Sequence, residues 1–226
     1  FVYWNYLFAG QGNVSSPVPN SYAWASHEFF DDGVKYGINI DSHTFIHETG
    51  HLLGLDDYYD YDNLHSPLGR LDMQDYNVGD HNAYTKLALG WSRPYVVTGD
   101  STITINTASM TGHSILIRDP KKPWEGSAFD EYLLLELITP TGLWKQDMTK
   151  GYAGIGSKYT EPGVRMLKVD ARLLSQNNKI TRNTRGNSLY MHAFSNTPSS
   201  SLYEGSISYR YDLLSLIAAD KTRNHL

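Results

Sequence analysis

The residues best suited to chemistry are His47, Glu48 and His51, which form the pattern HExxH. On a helix, positions four apart lie on one face, so both imidazoles can reach one Zn²⁺ ion. Glu48, next to the first imidazole, can take a proton from a water whose pKa the metal lowers toward about 7. The pattern therefore predicts a zinc site suited to the hydrolysis of amide bonds.

Beyond His51 the pattern extends to Gly54 and Asp57, as HExxHxxGxxD. A sharp exit at Gly54 lets residue 57 fold back toward the metal, where an Asp57 oxygen completes three protein ligands and leaves a fourth position for water. Asp56 is the local alternative, although its spacing is one residue short and it is also suited to bonding backbone amides or a second ion. A later glutamate ligand is disfavoured, because no Glu occurs between His51 and Glu125.

The chain around these residues resembles the immune inhibitor A-like metallopeptidases of the metzincin clan. The likeness is carried by HETGHLLGLDDYYD (47–60), GRLDMQDY (69–76) and GDHNAYTKLALGW (79–91), and more loosely by Asp130–Leu137 and Gly163–Asp170. It implies an α+β fold, with a zincin-type catalytic portion that holds a zinc-binding helix and a Met-turn, followed by a β-domain. It also implies a secreted, bacterial zinc endopeptidase that acts on proteins or peptides.

The resemblance assigns further roles residue by residue. Met73 takes the place of the methionine in the turn beneath the metal, with core packing as the ordinary alternative for a methionine. Tyr76 is the tyrosine offered as a transition-state stabiliser, although it lies three positions after Met73 where several clan members have two. About forty residues precede the zinc helix. A zincin upper subdomain needs more, so a missing N-terminal segment of the same precursor is a further expected partner.

Other residues allow two interpretations each. Asp60, Asp62 and Asn63 place oxygen atoms in a short loop, as Ca²⁺ prefers, and the alternative is a solvated acidic turn. Ser21–Ser26 can be an edge strand that pairs with an extended substrate, or a plain structural strand. The remaining histidines are interpreted as surface or hydrogen-bonded residues: His27, His65, His81, His113 and His192.

Two helices and a series of short strands have to position these residues. Helices are predicted over Thr44–Leu53, ended by Gly54, and over Asn82–Leu89, ended by Gly90. Strands are predicted at Phe1–Ala9, Ser101–Asn106, Ser114–Arg118, Tyr132–Thr139, Val164–Val169, Ser188–Phe194 and Ser206–Tyr211, and Asp212–Ala219 can be strand or helix. After Trp91 the sequence changes to short strand patterns separated by turn residues. A boundary near Trp91–Thr98 is therefore predicted, between a catalytic domain, residues 1–93, and a β-sandwich-like domain, residues 94–226.

Composition limits the alternatives. The 226 residues contain no cysteine and carry a net charge of -5. Disulfides, thiolate ligands and general nucleic-acid binding are therefore disfavoured. No apolar stretch approaches the ~20 residues that a membrane span needs. The 17 tyrosines and 5 tryptophans leave one different class open, a catalytically inactive zincin relic joined to a β-rich module that binds carbohydrate or surfaces by ring stacking.

Overall fold

The computed structural model describes residues 26–28, 41–121, 124, 126–151, 159–171, 175–176, 179–180, 196 and 212–219. Its helices and strands, in chain order, are α1 (His43–Leu52), α2 (Met73–Tyr76), α3 (Ala83–Ala88), β1 (Tyr95–Val97), α4 (Ala108–Thr111), β2 (Ile115–Ile117), β3 (Glu131–Ile138), α5 (Trp144–Thr149), β4 (Gly163–Asp170), β5 (Ser175–Gln176), β6 (Lys179–Ile180) and β7 (Leu214–Leu216). The strands predicted at Phe1–Ala9, Ser188–Phe194 and Ser206–Tyr211 lie outside the described residues, as do His192 and all of Ser21–Ser26 except its last residue.

Helix α1 carries the HExxH pattern and confirms the predicted helix to within one residue at each end. At its start, Asp41 Oδ1 accepts a hydrogen bond from the His43 amide at 3.0 Å, which satisfies one of the amides that a helix leaves without a partner. After its end, Gly54 has a φ of +91°, where a side chain would be strained. The chain reverses there, as the Leu55 amide bonds back to the Gly50 carbonyl at 3.1 Å.

The later part of the described chain is built on one five-stranded sheet in the order β1-β2-β3-β4-β7. β1 and β2 are parallel, and the other neighbouring strands are antiparallel. Three predicted strands are confirmed as β2, β3 and β4, and β7 shows that Asp212–Ala219 contains a strand. Helices together with a mixed sheet bear out the α+β class. The described residues add only the two-residue ladder of β5 and β6, so they do not show the second sheet of a sandwich.

The predicted strand at Ser101–Asn106 is wrong. Ile103 and Ile105 are half-buried and their neighbours are exposed, as alternation requires, but the segment has no assigned strand in the described part of the chain. Alternation reports which side chains face the protein, whereas a strand also needs a neighbour for its backbone hydrogen bonds.

One hydrophobic core joins the sheet to the helices. The inward residues of β3 alternate along the strand, and α3 packs on the same face through Tyr84 and Leu87. The core also takes in Tyr58, Leu68, Leu116, Leu134, Leu167, Val169 and Leu214. These residues come from both sides of position 93, and the division into two domains there stays a prediction. None of the helices in the described ranges is both long and apolar enough to cross a membrane.

His43, the first residue of α1, connects this helix to α5. Its Nε2 atom lies 3.2 Å from Asp147 Oδ2 and its Nδ1 atom 3.3 Å from Asp41 Oδ1. Burial lowers the pKa of His43, but the two carboxylates outweigh burial and raise the pKa above the ordinary value of 6.5. Asp147 also accepts from the Gly79 amide at 2.9 Å, at a glycine where a Cβ would overlap the Trp144 ring.

We expect the His43–Asp147 pair to stabilise the fold most at acidic to neutral pH. The raised pKa means that this stabilisation is fully present below about pH 6.5 and is lost as the pH rises through the folded-state pKa of His43. Asp147→Asn keeps an acceptor for Gly79 and removes the charge, so its cost in unfolding free energy should be larger at about pH 6 than at about pH 9. Urea unfolding at both pH values measures this.

The matched control is Asp130→Asn, since Asp130 is paired with Arg118 and not with a histidine. Its cost should change little over the same interval, because an arginine keeps its charge throughout. Equal costs of Asp147→Asn at the two pH values would show that His43 does not carry the charge that we assign to it.

Candidate metal site

Three polar side-chain atoms, two from α1 and one from the loop after it, lie within 3.5 Å of one another. His47 Nε2 and His51 Nε2 lie 3.1 Å apart, and Asp57 Oδ1 lies 3.1 Å from the first and 3.5 Å from the second. All three side chains are buried. We call these three atoms the ligand cluster. The spacing of four residues on α1 brings the imidazoles together, and the turn at Gly54 brings Asp57 to them.

Backbone carbonyls fix the direction of both imidazoles. His47 Nδ1 lies 2.7 Å from the Met73 carbonyl oxygen, and His51 Nδ1 lies 3.0 Å from that of Leu55. A carbonyl only accepts, so each Nδ1 must carry the proton and donate. In the neutral ring this leaves a lone pair on Nε2, and both lone pairs point into the ligand cluster. Such a backbone partner is the usual arrangement for a metal-binding histidine.

The electrostatics of the ligand cluster call for a cation. Burial raises the pKa of Asp57, but Tyr61 and the two imidazoles in their protonated form outweigh burial and lower it to about 2, so the carboxylate is ionised at neutral pH. A bound cation would take the place of those imidazole protons. Glu48 Oε2 is buried, and no hydrogen-bond donor meets it within the described part of the chain. Buried oxygens without donors are costly unless an ion or water compensates them.

Glu48 stands beside the same cluster. Its carboxylate, His47 and His51 offer ligand atoms that all lie within 4.8 Å of one another, and these three buried residues could hold a metal ion. Burial raises the pKa of Glu48, while the two imidazoles act in the opposite direction. Two carboxylates, Asp57 and Glu48, are therefore close enough to serve as a third ligand. The alternative Asp56 instead accepts the Asp57 amide at 3.1 Å, the role that the sequence also allowed.

Helix α2 brings Met73 beneath α1. Met73 is fully buried, and the contact with His47 is made by its backbone carbonyl. The next residue, Gln74, packs its side-chain amide against Gly50, where a Cβ would lie 2.8 Å from Gln74 Cδ. The absence of a side chain at position 50 is thus what lets the Met73 segment approach α1 closely. The assignment of this segment as a metzincin Met-turn stays a prediction.

Tyr61 is a residue of the site that sequence reasoning missed. Its hydroxyl donates to Asp57 Oδ2, which leaves Oδ1 directed at the two imidazoles. Holding the second oxygen of a ligand in this way is a common outer contact of metal sites. A tyrosine four residues after Asp57 gives no periodic signal, because the segment between them is a loop.

A cavity of 820 Å³ adjoins the ligand cluster. His51, Asp57 and Tyr61 form part of its wall, and most of the remaining wall is apolar. The apolar residues come from the end of α1, from α3 and from the sheet region, and they include Leu53, Leu55, Tyr84, Leu89, Phe129 and Leu213. The cavity has the mixed character of a ligand pocket, with a few polar groups on an apolar wall.

Tyr76 and the predicted calcium residues have other surroundings. Tyr76 is 42% exposed, and the Arg70 guanidinium lies 4.9 Å from its ring centre. Asp60 is buried and accepts from three backbone amides, those of Asp62, Leu64 and His65. Its carboxylate therefore orders the loop, and the calcium site stays a prediction that this geometry does not favour.

The remaining histidines are mostly hydrogen-bonded or packed, as interpreted from the sequence. His65 bridges two carboxylates, with Nδ1 2.9 Å from Asp60 and Nε2 2.8 Å from Asp212. His81 is buried against the Trp91 ring, and burial lowers its pKa to about 4. His113 packs on Tyr95, and His27 is exposed.

No protein-family profile, no curated protein and no solved structure matches the chain.

We expect Gly50→Ala to destabilise the fold through Gln74. The added methyl meets a side chain that is fully buried, and overpacking of this kind costs about 1–3 kcal/mol. In a Gln74→Ala background the cost of Gly50→Ala should fall to half or less, because the side chain that the new methyl meets is no longer there. The two single variants and the double variant form a cycle that denaturant unfolding can measure.

Gly163→Ala is the control, since nothing lies within 4 Å of a Cβ at that position. It should change the unfolding free energy by no more than about 0.5 kcal/mol. Costs of the two single changes that simply add in the double variant would exclude the Gln74 contact as the cause.

Proposed function

We propose that the protein is a zinc-dependent endopeptidase, with His47, His51 and Asp57 as metal ligands and Glu48 as general base. The observation that carries the proposal is the ligand cluster itself. Two nitrogen lone pairs and one ionised carboxylate oxygen converge in a buried place, and a divalent cation is the partner that this donor set suits best.

The distances within the ligand cluster support zinc. Ligand atoms about 2.0–2.1 Å from a tetrahedral Zn²⁺ lie roughly 3.3 Å from one another. The observed separations of 3.1, 3.1 and 3.5 Å fall around that value. An octahedral ion such as Mg²⁺ prefers oxygen ligands and retains water, so a site with two imidazoles favours zinc.

The adjoining cavity favours a catalytic over a structural metal. Structural zinc sites are closed by four protein ligands, whereas catalytic sites keep one position for water or substrate. Asp57 makes the close approaches to both imidazoles and is held by Tyr61, so we assign it as the third ligand. Glu48 is then available to act as an acid and base, and no donor among the described residues meets its buried Oε2 atom.

The mechanism follows from these assignments. Zinc, when bound, supplies a Lewis acid that lowers the pKa of a water and polarises the scissile carbonyl. Glu48 removes the proton of the attacking water and later delivers it to the leaving amine. The cavity beside His51 and Asp57 would hold part of the polypeptide. Proton transfer by a positioned carboxylate contributes about 10²–10⁴-fold to such a reaction.

The resemblance to immune inhibitor A-like metallopeptidases agrees with this proposal, and the extracellular location belongs to it. Tyr76 as a transition-state stabiliser also remains a prediction of that resemblance. The alternative, an inactive zincin relic with a β-rich binding module, would keep the metal and lack turnover.

We expect the purified chain to bind about one zinc per molecule, measured by elemental mass spectrometry. His51→Ala should lose the metal, and His113→Ala, which changes a histidine outside the cluster, should retain it. Glu48→Gln should retain zinc and lose at least about 100-fold of peptide hydrolysis, because the amide cannot accept the proton.

These outcomes separate the hypotheses. Absence of zinc from the unaltered chain would refute the metal assignment. Zinc without hydrolysis of any peptide would favour the inactive relic. Undiminished hydrolysis by Glu48→Gln would mean that another group is the base.

A further inference from the structure

We infer that Arg165, in strand β4 of the sheet, is a positioning residue for the metal site, because it fixes the backbone that orients His47. The inference rests on the proposed function, since it concerns the same metal ligands. Arg165 is far from the HExxH pattern in the chain, and its polar partners among the described residues include Glu136, Asp72 and the Leu71 carbonyl. It acts on the segment Leu71–Gln74.

The two imidazoles differ in how they are held. His51 Nδ1 bonds to the carbonyl of Leu55, four residues away in the same turn. His47 Nδ1 bonds to the carbonyl of Met73, 26 residues away. The orientation of His51 is therefore set locally, whereas that of His47 depends on whatever holds Met73 in place.

Arg165 contacts the Met73 segment directly. Its Nη1 atom donates to the Leu71 carbonyl at 2.6 Å, and its Nη2 atom lies 3.6 Å from Asp72 Oδ2. Asp72 Oδ1 in turn accepts from the Gln74 amide at 3.1 Å. The residues on both sides of Met73 are thus held, which fixes the direction of the carbonyl between them.

The guanidinium is itself held by the sheet. Glu136 is its cross-strand partner on β3, and Glu136 Oε1 lies 2.9 Å from Arg165 Nε and 2.8 Å from Nη2. Arg165, Glu136 and Asp72 are all buried. A planar guanidinium can serve Glu136 and the Leu71 carbonyl at the same time, in fixed directions, and a lysine ammonium cannot.

A buried ion pair is weak evidence for stability, because desolvation offsets much of the attraction between the charges. Conformational specificity is the better reason for this one. It joins the Leu71 carbonyl and the Asp72 side chain of the Met73 segment to a two-strand ladder. Changes in such outer contacts of a metal site typically alter metal affinity about 10–100-fold.

The test compares zinc affinity in the full chain, measured by competition with a chromophoric chelator. Arg165→Lys keeps the charge and loses the planar fork, so we expect zinc affinity to fall about 10–100-fold. Leu167→Ala is the control. It lies two residues along the same strand, on the same buried face, and it should lower stability without changing zinc affinity. The absorption spectrum of bound Co²⁺ should change in Arg165→Lys and not in Leu167→Ala.

Each outcome decides between the claims. If the unaltered chain binds no zinc, the proposed function fails and the inference fails with it. If the unaltered chain and Arg165→Lys bind zinc equally, with equal Co²⁺ spectra, the inference is overturned and the proposed function stands. Should Arg165→Lys not fold, Asp72→Asn tests the same connection, since asparagine keeps the helix cap and loses the ion pair. A weaker affinity then supports the inference, and an unchanged affinity overturns it.

Discussion

Two imidazole nitrogens and a carboxylate oxygen lie within 3.5 Å of one another in a buried place. Electron pairs crowded in this way repel unless a positive charge lies between them, so the surrounding chain has to hold them against that repulsion. It does so with rigid partners. The Nδ1 atom of each imidazole donates to a backbone carbonyl, and the Tyr61 hydroxyl donates to Asp57 Oδ2. Each partner restricts the rotation that would otherwise relieve the crowding.

The sheet extends this support beyond the first contacts. Glu136 and Arg165 occupy inward positions of β3 and β4. An apolar pair there would avoid the desolvation cost of burying two charges. Their charges instead reach the carbonyl of Leu71 and the carboxylate of Asp72. The sheet and the Met73 segment are therefore joined by directed polar contacts as well as by hydrophobic packing, which has no preferred direction.

Sequence reasoning succeeded where contacts are local. His47 and His51 are one helical turn apart, and Gly54 and Asp57 follow within six residues, so period and turn chemistry were enough to predict α1 and its reversal. The same reasoning could not find the Met73 carbonyl, Tyr61 or Arg165, because backbone carbonyls have no sequence signal and the guanidinium reaches its partners across the fold. It also predicted a strand at Ser101–Asn106 from alternation alone, which reports burial and not pairing.

The loop after the ligands is tied to the far end of the described chain. His65 bonds to Asp212 across 147 positions, and Asn196 bonds both to the Tyr58 carbonyl and to the Leu214 amide. A ribosome adds about 5–20 residues per second, so β7 would emerge on the order of ten seconds or more after Asp57. During that interval the loop after Asp57 lacks its hydrogen bond to Asp212, and β7 is not yet available to pack beside it. The contacts that hold this loop are therefore completed only late in the synthesis of the chain.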